Sequence, residues 1–176
     1  MEIENKNTHW LRCDYRVESL FQIITGLDIS IKILVKRMKA GGWYDGLWLR
    51  EDCEPIYGLA FLAFQNYINL SIKDFSGETS NKIKYYKIEP NLKNFEKSSI
   101  ELIIGLANYL KHRDEKELHK GTREILESFS LHFGNENNID NSPIFDGLAI
   151  LSEDWDLFEV LEIVKKWREK LWTLEN

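Results

Sequence analysis

Glu101-Leu-Ile-Ile-Gly-Leu-Ala-Asn-Tyr-Leu-Lys-His-Arg-Asp-Glu115 reads as a helix with a single polar seam, and that reading decides the fold. At the helical repeat, Glu101, Gly105, Asn108, His112 and Glu115 fall in one narrow arc. Ile100, Ile103, Ile104, Leu106, Ala107 and Leu110 make most of the remaining surface apolar. A helix of this kind is buried on several sides, as happens inside a helical bundle. Buried carboxylates, amides and imidazoles are costly unless paired, so the seam marks the first place to look for a site.

Working outward, a second helix is predicted from about Asp52 to Phe75, with Pro55 in its first turn. It carries its own polar line of Glu54, Gly58, Gln65 and Asn69 among apolar neighbours. Glu54-Pro-Ile-Tyr-Gly-Leu-Ala60 and Glu101-Leu-Ile-Ile-Gly-Leu-Ala107 agree at the glutamate and at Gly-Leu-Ala. The shared spacing predicts a close approach of Gly58 to Gly105, which would bring Glu54 and Glu101 together. On this reading Glu54, Gln65, Asn69, Glu101, Asn108 and His112 line one polar pocket between two helices; the alternatives are a structural hydrogen-bond network and a seam facing solvent. A third Gly-Leu-Ala, Gly147 to Ala149, lacks the upstream glutamate and is read as chance.

Val17, Leu20, Ile24, Leu27, Ile31, Leu34 and Met38 recur at spacings of three and four, predicting a helix over about 15–40 stopped by Gly41-Gly42. Such a stripe serves either its own bundle or a homodimer, and Gly26 within it suggests a kink or a close crossing. Trp43 to Arg50 reads as an aromatic connector, and 76–97 as an irregular loop or short hairpin. Another helix is predicted to open at Gly121-Thr122 and close at Gly134, followed by a polar loop to Pro143. Ser152-Glu-Asp begins the last helix, which buries Leu157, Leu161, Val164, Leu171 and Trp167 and turns Arg168 to solvent. The expected architecture is an all-α bundle of about five main helices in one domain over 1–176, with 1–14 a loosely packed N-terminal segment.

Hydrophobic residues at 43% and charged residues at 30% describe a globular chain rather than a disordered one. The net charge of -6 argues against a general nucleic-acid coat but leaves room for a local basic site. No run is long and apolar enough for a membrane span, and Met1 to Asn7 is polar, unlike a signal peptide. Cys13 and Cys53 lack metal-ligand spacing and read as plain thiols, so a cytoplasmic setting is expected. Lys82, Lys84, Tyr85, Tyr86, Lys87 and Lys93 mix cations with aromatics, as single-strand binders do, although a solvated loop has the same composition.

Arg113-Asp-Glu-Lys-Glu-Leu-His119 resembles the R-x4-6-H signature of HEPN-type helical domains, many of which are metal-independent ribonucleases. The resemblance implies proton transfer by His119, phosphate holding by Arg113, Asp114 as a polar companion, a homodimer and no cofactor. Gly58-Leu-Ala-Phe-Leu-Ala-Phe-Gln-Asn-Tyr-Ile68 with Asn108-Tyr-Leu-Lys-His-Arg-Asp-Glu115 also resembles paired blocks of small bacterial helical proteins of unassigned function. Glu51-x-x-Glu54 is similar to the first half of the motif of all-α pyrophosphatases, which would imply Mg²⁺ and a nucleotide substrate. The expectation is therefore a nucleic-acid- or nucleotide-processing protein with Lys111, His112 and Arg113 on phosphate. A non-catalytic immunity, antitoxin or adaptor protein, binding a protein partner through its tryptophans and tyrosines, is the alternative.

Overall fold

The structure, a computed structural model, describes residues 10–115, 117–133 and 139–174. Its architecture is an all-α bundle, with seven α-helices and no strand among the described residues. They are α1 (Val17–Lys39), α2 (Gly46–Ser76), α3 (Lys82–Tyr86), α4 (Ser99–His112), α5 (Lys120–Ser128), α6 (Pro143–Leu151) and α7 (Leu157–Leu171).

α2 is the axis of the fold, and it packs against α1, α4, α6 and α7. It begins earlier than the sequence suggests, because Asp45 caps it by accepting from the Leu47 and Trp48 N–H groups. Residues 46–50 of the aromatic connector therefore become the first turn of the helix, and Pro55 lies well inside it. Proline removes one helical N–H, which leaves the Glu51 carbonyl without its usual donor. Glu51 and Pro55 are both exposed, so water replaces that bond at little cost.

α1 stops where the backbone turns to positive φ at Gly41 and Gly42. Leu20, Ile24 and Ile31 of its stripe are buried within the chain's own core. Gly26 is exposed, and a methyl group added there would meet nothing within 4 Å, so it marks no close crossing.

The segment 76–97 differs from a hairpin. Lys82–Tyr86 winds into a helical turn that buries Tyr85 and Tyr86, and one bridge pairs Asn91 with Ser98. Alternation over so few residues fits either conformation, and the burial of two adjacent tyrosines decides for the turn. Their burial also removes the stacking surface that a single-strand binder needs.

α5 ends at Ser128, with Ser130 at φ 56 just beyond it, and Phe129 is buried outside the helix. α6 was not legible as a helix. Pro143 starts it, and Ser142 caps it by accepting from Ile144 N–H. The last helix begins at Leu157 under an Asp156 cap, not at Ser152, because Trp155 takes φ 58 and breaks the chain direction.

In α7 Trp167 is fully buried and donates to the Tyr85 carbonyl at 2.9 Å. Arg168 is not turned to solvent. It is only 6% exposed and donates to the Leu11 and Arg12 carbonyls at 3.0 and 3.1 Å, with Asp14 3.5 Å from its Nε. Tyr67 donates its hydroxyl to the same Asp14. Residues 10–14 are thus pinned to the bundle rather than loosely packed; 1–9 lie outside the described residues.

Candidate functional site at the end of α4

Both polar seams meet, but the two helices run antiparallel and the glutamates separate. Glu101 completes a capping box: its carboxylate accepts from Ser98 N–H at 3.0 Å, while the Ser98 hydroxyl accepts from Glu101 N–H at 3.2 Å. Lys97 stands 3.8 Å from the same carboxylate. Glu54 lies at the other end of α4, where it accepts from Arg113 at 2.5 Å and from the Ser142 hydroxyl at 2.6 Å. Twelve residues of helix, about 18 Å, separate Glu101 from Arg113. The predicted shared pocket of Glu54 and Glu101 is therefore corrected: one is a cap, the other a tie between α2, α4 and α6.

The Gly-Leu-Ala glycines explain the true register. A methyl group at Gly58 would come within 2.7 Å of Leu110, and one at Gly105 within 2.5 Å of Ile125. Gly58 and Gly105 thus receive different side chains instead of facing each other. Gly147, of the triplet read as chance, receives Leu106 in the same way, with a 2.6 Å approach.

Between the two ends the seams cooperate as the sequence suggests. Gln65 donates to the Asn108 side-chain oxygen at 2.8 Å, and Lys111 donates to the Gln65 oxygen. Asn69 is not part of this chain of bonds. It accepts from the Tyr86 hydroxyl at 2.6 Å and so holds α3 to α2. Desolvation first, and then the nearby Lys82 charge, lower the Lys111 pKa. Two ammonium groups that repel each other favour an anion between or beside them.

Past Lys111 the chain makes a corner. Glu115 N–H donates to the His112 carbonyl, and the His119 carbonyl accepts from the Thr122 and Arg123 N–H groups, which fixes the backbone on both sides. The His112 and His119 rings meet edge to face with centroids 4.8 Å apart. His112 Nδ1 lies 2.6 Å from a Glu115 oxygen. That contact holds the exposed Glu115 carboxyl below its ordinary range; desolvation opposes it, and the nearby His112 and His119 charges add to it.

Arg113 points elsewhere. Desolvation works against its charge, but the bond and charge of Glu54 outweigh it and raise the guanidinium pKa. The sequence sets His112 and Glu115 on one helical seam and His119 in a separate motif. It does not join the three, because α4 ends at His112 and the turn beyond it, not the helical repeat, brings His119 back. The spacing x2 then x3 was the available signal.

No family model, no curated protein and no solved structure matches this chain.

Proposed function

We propose that the α4–α5 corner acts on phosphate esters of nucleic acid or nucleotides, in the manner of a HEPN-like, metal-independent ribonuclease. The observation that carries this reading is the meeting of His112 and His119 at an exposed helix end beside Lys111. An imidazole pair can remove the proton of an attacking hydroxyl and return one to the leaving oxygen, so no net proton is consumed. His119 takes the proton-transfer role that the resemblance implies, with His112 packed against it and Glu115 orienting His112.

Phosphate holding shifts within the motif. Arg113 is tied to Glu54 and serves as a positioning residue for the corner. Lys111 gives one N–H to Gln65 and keeps two for an anion, with Lys82 adding to the local positive potential. The Mg²⁺ hydrolase reading draws less support, since both Glu54 oxygens already have partners and Glu51 stands exposed at the surface. A homodimer is the assembly that the HEPN-type reading carries, and sedimentation of the purified chain tests it.

The test is incubation of the purified protein with single-stranded RNA in the presence of EDTA. Cleavage is expected, and His119→Ala should lower its rate at least about a hundredfold, the range for losing a general acid or base. His112→Ala should also slow it. RNA left intact by the wild-type protein, or cut equally well by the His119 variant, would sink the ribonuclease reading.

One observation favours a second reading. Trp43, Leu47 and Trp48 are all exposed, and Trp43 stacks edge-on against both Tyr44 and Trp48. Aromatics gathered this way suit a protein-binding surface and the adaptor or antitoxin alternative. A protein partner that co-purifies with wild type but not with Trp48→Ala would support it.

A further inference from the structure

We propose that His112, Glu115 and His119 bind a divalent transition-metal ion of the zinc class. One ligand atom from each lies within 4.8 Å of the others, and the residues sit at the end of α4, in the turn after it and just before α5. Glu115 is held in that turn by its own N–H bond to the His112 carbonyl.

Ligand atoms around Zn²⁺ at about 2.1 Å stand roughly 3.4 Å apart. The exposure of Glu115 and His119 and the partial burial of His112 leave these side chains room to turn toward that spacing. Two imidazoles with one carboxylate suit zinc, cobalt or iron(II), whereas Mg²⁺ and Ca²⁺ prefer oxygen ligands. Exposure on the solvent side leaves a coordination position for water. If His112 coordinated through Nδ1, its ring proton would sit on Nε2, and its contact with Glu115 would give way to a metal bond from each residue.

Metal binding needs no catalysis and goes beyond the ribonuclease reading. One consequence does rest on that reading: a bound ion occupies lone pairs on both imidazoles, so saturating Zn²⁺ should silence metal-free cleavage.

The experiment is a Co²⁺ titration of the full chain, followed by visible absorption, then displacement by Zn²⁺. Wild type should bind one equivalent, with d–d bands that vanish when Zn²⁺ is added. His112→Ala, Glu115→Gln and His119→Ala should each weaken binding at least about tenfold, as even outer-shell losses do. His132→Ala, altering an exposed histidine outside the grouping, should bind as wild type does. Circular dichroism of each variant checks that the bundle is intact. Binding that is equally tight in wild type and in the His112→Ala/His119→Ala double variant would overturn the proposal. The titration contains no RNA, so its failure is separate from a failure of the cleavage assay in EDTA.

Discussion

Arg168 shows how much one side chain can organise. Its guanidinium is buried, satisfies two backbone carbonyls at the start of the chain, and faces an Asp14 carboxylate that also accepts from Tyr67. Removing one partner of such a group leaves the others unsatisfied in a poorly hydrated place. Arg168→Ala should cost about 2–4 kcal/mol, somewhat under the range for a fully buried pair because Asp14 keeps part of its hydration. Urea unfolding monitored by tryptophan fluorescence measures this, and an unchanged midpoint would mean that residues 10–14 contribute nothing. Periodicity places Trp167 inside, as the structure has it, and Arg168 outside, where it is not. The helical wheel sees an arginine beside the stripe; it does not see the carbonyls of Leu11 and Arg12 that receive it.

At the level of elements, α4 is held by what its neighbours insert into it and what it inserts into them. Leu110 fills the space above Gly58, Leu106 that above Gly147, and Ile125 that above Gly105. The Ile125 contact is the least forgiving, since its Cγ2 and Cβ lie 2.5 and 3.2 Å from the position a methyl group would take. A β-branched side chain has little rotamer freedom to retreat. Gly105→Ala should therefore destabilise the protein by about 1–3 kcal/mol, the usual cost of overpacking. Helix propensity pulls the other way by about 1 kcal/mol. A thermal melt decides between them: a higher midpoint in the variant would show that α5 yields. The capping box of Ser98 and Glu101 is the counterpart at the start of α4, where the sequence spelled the motif and only its use as a pocket was misread.

Across the whole molecule, α2 packs against α1, α4, α6 and α7, so exposing its buried face is expected to open the bundle. Cys53, in the early turns of α2, reports on this. It is buried, and burial, aided by the Asp52 charge, pushes its thiol up to about 11. Cys13 is exposed. Near pH 7 a thiol reagent should label Cys13 in the folded protein and leave Cys53 untouched until denaturant unfolds the chain. Mass spectrometry after graded urea exposure follows both sites, and rapid native labelling of Cys53 would show that this part of α2 opens on its own. No helix among the described residues is long and apolar enough to cross a membrane.

The sequence by itself determined the helical class, the course of α1, that of α4 as far as His112, and much of the core. Those features rest on local periodicity and caps, which a chain carries in its own order of residues. Only the tertiary structure decided the antiparallel register of α2 and α4, which sent Glu54 to Arg113 and Ser142 and left Glu101 as a cap. It alone brought His112, Glu115 and His119 together, because a turn between two helices sets side-chain convergence through backbone geometry that no repeat encodes. The burial of Arg168 belongs there too, since its partners lie at the far end of the chain.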